Sequence, residues 1–171
     1  DYFSQLLIPN WKVRLTGFIA SSIVLSLLAT VIFSIVNAIV LLIFLDSTLK
    51  NYLEFTLFVD VTARVVIFAI VLTLLAIFLV RVTKKSISSL IAIVLLLVIT
   101  LSGILRGLSS NIENLLPLIG AKSFAFGRIE GTQTSQLYGF ALLVVEGVVF
   151  LVLIIIVEKV RMGRKNGKNI Y

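Results

Sequence analysis

The residues best able to do chemistry in this chain are a few polar side chains set in long apolar runs. Glu146 lies near the middle of the run 137–157, and Asn37 lies within the run 16–45. An ionisable group in such a run is a functional hypothesis by default, because charge in hydrocarbon is costly. We expect the Glu146 carboxylate to be protonated, to pair with a partner subunit or to face a cavity; a protonated or hydrogen-bonded structural Glu is the simpler alternative. For Asn37 we expect an interhelical hydrogen bond rather than substrate contact.

A second polar pattern follows one face of the first run. Small residues recur there at every fourth position, which lets another helix approach closely. We interpret this small-residue stripe as a packing face. A polar translocation surface, or the lining of a channel-forming oligomer, is the alternative, although no ring of charged side chains accompanies it. The stripe consists of Ser22, Ser26, Thr30, Ser34 and Ala38.

Other chemistry is scarce. The chain has no His and no Cys, which excludes Ser-His-Asp triads, thiolate nucleophiles and most zinc and haem sites. The G-x-x-x-x-G-K-[ST] pattern that cradles ATP phosphates is missing, and no pair of carboxylates lies within the apolar runs. The sequence therefore predicts no catalytic residue, no cofactor and no metal ligand in this chain, and it favours a scaffold, channel or transporter part over an enzyme.

The elements that must position these residues are predicted from hydropathy. Of the 171 residues 60% are hydrophobic, and the mean hydropathy is +1.18, whereas a soluble domain is about 45–50% apolar. A helix needs about 20 apolar residues to cross a bilayer. We therefore predict an all-α, polytopic membrane protein with a single membrane domain over 1–171. Its four transmembrane helices are expected at about 16–45, 63–80, 87–105 and 137–157.

Charge predicts the orientation. The N-terminal stub, the basic turn (residues 81–87) and the tail 159–171 share one side if all four runs cross, and only Asp1 and Glu158 carry negative charge there. The positive-inside rule puts this side, with both termini, in the cytoplasm of a cell-membrane protein. We expect its cations to anchor anionic lipid headgroups rather than nucleic acid. They are Lys12, Arg14, Arg81, Lys84, Lys85, Lys159, Arg161, Arg164, Lys165 and Lys168.

Two connectors are predicted on the other side. The first, 46–62, is short and is expected to be external. The second contains a segment, 111–126, whose apolar middle is too short to span. Irregular backbone is not tolerated in contact with lipid, so we predict a re-entrant or interfacial element there.

Several motifs carry a family resemblance. The stretch 6–13 (LLIPNWKV), which runs into a long apolar helix, resembles the entry to the third transmembrane helix of ABC-2-type ABC transporter permeases. The basic turn followed by SISSLIA is similar to that family's connector between the fourth and fifth helices. The resemblance extends over nearly the whole chain, through Leu116-Pro117-Leu118 in an external segment to the closing Glu158-Lys159-Val160-Arg161.

The resemblance implies a function. The chain would be a permease subunit of an exporter for an unknown substrate, carrying the third to sixth of six helices, with the first two preceding Asp1. It would work with a second permease copy or homologue and with a separate ATP-binding subunit. Contact with that ATPase would involve Leu6, Leu7, Pro9, Trp11, Lys12, Arg81, Lys84 and Lys85.

One alternative belongs to a different class of protein. The chain would then be a small four-helix accessory subunit of a larger membrane complex, such as a respiratory or secretion assembly, whose role is packing. Upstream sequence discriminates between the two. Two further spans joined by a cytoplasmic segment favour the permease, and a start codon immediately before Asp1 favours the accessory subunit.

Overall fold

The computed structural model describes residues 10–44, 55–102, 118, 119, 124 and 136–167, and nearly all of them are helical. The four helices in this part of the chain are α1 (Trp11–Phe44), α2 (Phe55–Thr83), α3 (Ser86–Ser102) and α4 (Gln136–Gly167). The prediction of an all-α chain is confirmed for these residues.

Three of these helices are long and apolar enough to cross a membrane. The qualifying stretches are Trp11–Phe44, Phe58–Thr83 and Leu137–Met162, and they indicate a membrane protein. Helix α3 has 17 residues, which makes it about 26 Å long, slightly less than the hydrocarbon thickness of about 30 Å. The end of the predicted third span, 103–105, lies outside the described residues.

Helix boundaries differ from the predicted spans at three places. Helix α1 begins before 16, α2 begins within the predicted connector 46–62, and α4 continues through most of the predicted tail 159–171. Apolar runs mark only what lies in hydrocarbon, whereas Lys, Arg and Glu are good helix formers that extend a helix into water. In α2 the added turn carries an ion pair between Asp60 and Arg64 at 2.7 Å, the i,i+4 spacing that stabilises helices.

The start of α1 is set by a side-chain cap. The Lys12 backbone N–H donates to Oδ1 of Asn10 at 3.1 Å, and the Arg14 N–H donates to the Asn10 carbonyl at 3.2 Å. Asn is a preferred N-cap residue, because its side chain satisfies a backbone donor that lacks a partner within the helix. Asn10 therefore starts the long helix immediately after the proline in the motif LLIPNWKV.

Only Lys84 and Lys85 separate α2 from α3. Lys84 has φ 57°, and its N–H donates to the Val80 carbonyl at 2.9 Å. A left-handed residue just past the last helical turn, bonded in this way, is a common helix C-terminal cap. The chain therefore leaves α2 and enters α3 within two residues.

The helices belong to two compact units, Asp1–Thr73 and Leu74–Tyr171. In the first, Leu15 is buried and the outward side of α1 exposes many apolar side chains. In the second, the core is formed by one face of α4 with the last turns of α2, including Leu143, Ile154 and Leu75. The rings of Phe78 and Phe150 stack there with their centroids 6.4 Å apart.

Candidate functional site

The carboxylate of Glu146, within the apolar part of α4, accepts a hydrogen bond from a backbone N–H. Both of its oxygens lie 3.0 Å from the nitrogen of Leu118, so the two share one donor. Leu118 is only 1% exposed and has φ 71°. The left-handed conformation costs an L-residue about 1–2 kcal/mol, so surrounding contacts must hold it. The carboxylate of Glu146 therefore has a hydrogen-bond partner within the chain.

A second contact joins the same segment to α4 at another level. The rings of Phe124 and Phe140 are tilted with centroids 5.5 Å apart. Phe140 precedes Glu146 on α4 by an axial distance of about 9 Å. The described residues of the segment 111–126 therefore lie against α4 at two levels, with Leu118 the further from the start of the helix.

Near the far end of α4 a second carboxylate is buried. Glu158 continues the α4 face that buries Phe150 and Ile154. The nearest guanidinium nitrogen of Arg81 is 3.5 Å from Glu158 Oε2, and the two side chains are 19% and 7% exposed. At that distance the contact is an ion pair rather than a short hydrogen bond. It joins the end of α2 to α4.

Hydroxyl groups brace the basic turn beside this ion pair. Oγ1 of Thr83 lies 2.8 Å from the Leu79 carbonyl oxygen and 2.7 Å from Oγ of Ser89, and it accepts the Lys85 N–H at 3.3 Å. Ser89 is fully buried and donates from its hydroxyl to the Lys85 carbonyl at 2.9 Å. These bonds fix the turn between α2 and α3.

The small-residue stripe occupies the half-buried side of α1. All five of its members are partly covered, whereas the residues between them are mostly exposed. Oγ of Ser26 lies 2.8 Å from Oγ1 of Thr73 on α2, and Thr30 Oγ1 donates to the Ser26 carbonyl at 2.8 Å. The stripe therefore contacts α2 within the first unit, as a packing face does.

Asn37 is exposed on the apolar side of α1. Its Nδ2 donates to the Phe33 carbonyl at 2.9 Å, so this hydrogen bond stays within one helix. Sequence reasoning expected a bond to another helix. An amide can bond back to the carbonyl four residues earlier, a local option that sequence spacing does not reveal.

The residues predicted to contact an ATPase are only partly in view. Leu6, Leu7 and Pro9 lie outside the described residues. Trp11 is half-buried, and Lys12, Lys84 and Lys85 are exposed. Arg81 faces Glu158 instead, so its charge is already compensated within the chain.

Sequence reasoning missed the partners of these groups. Leu118, Thr83 and Ser89 are ordinary residues for a helical membrane protein, and nothing in their types announced their roles. Glu158 is the exception. It follows Ile154 by four residues and so lies on the same face of α4, a spacing from which its burial could have been predicted.

No metal site is visible in the described parts of the chain, where no group of three His, Cys, Asp or Glu side chains could hold an ion. Comparison of the chain with protein-family models, curated proteins and solved structures finds no match. Function must therefore be inferred from the residues themselves.

Proposed function

We propose that this chain is the membrane-spanning permease part of an ABC-type exporter, driven by ATP-binding subunits on separate chains. A second copy or a homologue completes the pathway. The chain itself carries no ATP-binding motif, so its own work is mechanical and its partner supplies the energy. The termini and the basic turn face the cytoplasm in this proposal.

The observation that supports the proposal most is the pair of contacts between segment 111–126 and α4. Leu118 contacts α4 at Glu146, and Phe124 contacts it about 9 Å nearer its start. From Leu118 to Phe124 these contacts move back towards the start of α4, which is the direction that the returning half of a re-entrant element takes. A re-entrant external element before the final helix is what the resemblance to ABC-2-type permeases implies.

The length of α1 also supports a mechanical role. Its 34 residues extend about 51 Å, well beyond a hydrocarbon core of about 30 Å. A helix of this length must tilt or project from the bilayer. A projecting end lets an ATPase move the helix as a rigid body, as alternating access requires.

Isolation of the intact complex tests the proposal. The chain, tagged at its C-terminus, is extracted from its own membrane in mild detergent and its partners are identified by mass spectrometry. We expect a stoichiometric protein with a P-loop motif. Redox or secretion subunits without any P-loop protein would refute the permease proposal.

Topology is tested separately with single cysteines, since the chain has none of its own. In sealed cells, Lys85→Cys should resist a membrane-impermeant maleimide until the membrane is opened, because the basic turn is proposed to be cytoplasmic. Thr132→Cys, in the proposed external connector, should react at once. Reversed labelling would overturn the orientation and leave the helix assignment untouched.

A second function, an accessory subunit of a larger assembly, is favoured by one observation on α1. Within the most apolar window of this helix no residue is buried, so its outward face is available to lipid or to other subunits. The partner analysis also decides this alternative. The accessory-subunit alternative predicts a stable complex of several different membrane chains. ATP hydrolysis would not change which chains that complex contains.

A further inference from the structure

The basic turn carries two exposed cations, Lys84 and Lys85, for which no ion pair is found in the part of the chain that the structure describes. Arg81 is paired with Glu158. Two uncompensated ammonium groups in adjacent positions attract an anion.

The backbone that carries them has a fixed shape. Lys84 is held in the left-handed conformation by its bond to the Val80 carbonyl. Lys85 is held on both of its backbone groups, by Thr83 and by the buried Ser89. The two ammonium groups therefore extend from a constrained base, and a ligand does not have to order the turn.

A row of exposed apolar side chains, the apolar ladder, runs along one face of α3 from this turn. Its side chains follow the i, i+3, i+4 spacing of one helix face, and all are between 51% and 76% exposed. From first to last the ladder covers about 16 Å, close to half of a hydrocarbon core of about 30 Å. The ladder consists of Ile87, Leu90, Ile91, Val94, Leu95 and Val98.

We propose that the basic turn and the apolar ladder together bind one anionic phospholipid. The phosphate lies between the ammonium groups of Lys84 and Lys85, and the acyl chains extend along the ladder through one leaflet. An acidic protein segment would meet the lysines but would leave the ladder uncovered, and free phosphate would make no use of it. The proposal does not depend on whether the chain is a permease.

Native mass spectrometry of the full chain in detergent tests this site. The chain is titrated with phosphatidylglycerol and, separately, with phosphatidylcholine of the same acyl chains. We expect the wild type to retain phosphatidylglycerol selectively. Each cation near an anionic membrane surface contributes roughly fivefold in affinity, so the double variant K84Q/K85Q should bind phosphatidylglycerol roughly twenty-five-fold more weakly. It should then bind phosphatidylglycerol about as weakly as it binds phosphatidylcholine.

Two variants serve as controls. K84R/K85R keeps both charges and should keep the selectivity. K122Q removes one cation that the sequence predicts on the opposite side of the membrane, and it should leave phosphatidylglycerol binding within about twofold of wild type. All variants are compared at equal helical content by circular dichroism.

Four outcomes would overturn the proposal. The first is equal retention of the two lipids by the wild type. The second is a loss of phosphatidylglycerol in K122Q as large as in the double variant. The third is unchanged retention in K84Q/K85Q, which would leave the basic turn to a protein partner. The fourth, displacement of the lipid by inorganic phosphate alone, would count against the ladder in the same way.

Discussion

The last helix places two glutamates in two different settings, since Glu146 is half-buried and Glu158 is buried. Glu146, in the apolar middle of α4, accepts a backbone N–H from Leu118. Glu158, near the end, faces the guanidinium of Arg81. In the middle of the helix the partner of the carboxylate is a neutral backbone N–H. Near the end of the helix it is the charged side chain of Arg81, which is 19% exposed.

The difference follows from where a charge can be solvated. An Arg at the bilayer centre is costly, but near a helix end its long side chain reaches the interface. A backbone amide carries no net charge, so it can reach a carboxylate at any depth. The comparison teaches that depth along α4 decides which partner a carboxylate can have, and that the two sites should respond differently to substitution.

The largest expected effect comes from breaking the ion pair at the end of α4. Arg81→Met leaves Glu158 buried without a compensating charge, and such a change destabilises by roughly 3 kcal/mol. The free energy of unfolding, measured by circular dichroism in mixed micelles of dodecyl maltoside and dodecyl sulfate, checks this.

The double variant Arg81→Met with Glu158→Leu is the matched control for that experiment. Replacing a buried ion pair by apolar side chains is often neutral or stabilising, so we expect most of the lost stability to return. If the double variant is as unstable as Arg81→Met alone, the pair is not what holds these helix ends together.

A smaller effect is expected at the middle of α4. Glu146→Leu removes the acceptor of the buried Leu118 N–H, and an unsatisfied buried donor costs about 1–3 kcal/mol. Glu146→Gln keeps a carbonyl oxygen and should lose less than half as much. Hydrogen exchange at the Leu118 amide should rise in the Leu variant; equal losses in both variants would mean that the carboxylate acts through its charge rather than as an acceptor.

The turn beside Glu158 should be less sensitive still. Thr83→Val removes the hydroxyl that bridges α2 and Ser89, a loss of about 1 kcal/mol. Ser89 retains its bond to the Lys85 carbonyl, which limits the damage. The same micelle unfolding measurement applies, and Thr83→Ser, which keeps the hydroxyl, should match the wild type.

The smallest effect is expected at the hydrogen bond between Ser26 on α1 and Thr73 on α2. Double-mutant cycles of such hydrogen bonds in membrane proteins average about 0.6 kcal/mol. We expect a coupling energy of that size from Ser26→Ala and Thr73→Val. A coupling energy above about 2 kcal/mol would show that a neutral contact can stabilise the protein about as much as the ion pair does. Contacts of the charged side chains would then not be the stronger ones.

The helices were predictable from the sequence because a segment that crosses a bilayer as a helix needs a long run of apolar residues. Their ends were not, because the flanking Lys, Arg and Glu residues form helix equally well in water. Glu158 shows this: it lies inside α4, although the predicted span ended one residue before it.

The candidate site was predictable only in part. Glu146 stood out by its type and position, but its partner is a main-chain group 28 residues away, and every residue has such a group. Arg81 was grouped with its neighbouring lysines because all three are cations in one turn. In the structure Arg81 lies in the last turn of α2 and contacts Glu158, whereas the two lysines follow the end of that helix.

The Arg81–Glu158 pair also has a consequence for biosynthesis. Arg81 enters the membrane with α2, whereas Glu158 is translated with the last helix, on the order of seconds later at ordinary elongation rates. During that interval Glu158 is not yet available to the guanidinium, and the place of Arg81 at the end of an apolar helix lets its long side chain reach polar surroundings. The arrival of α4 then supplies Glu158, and the ion pair joins the end of α2 to α4.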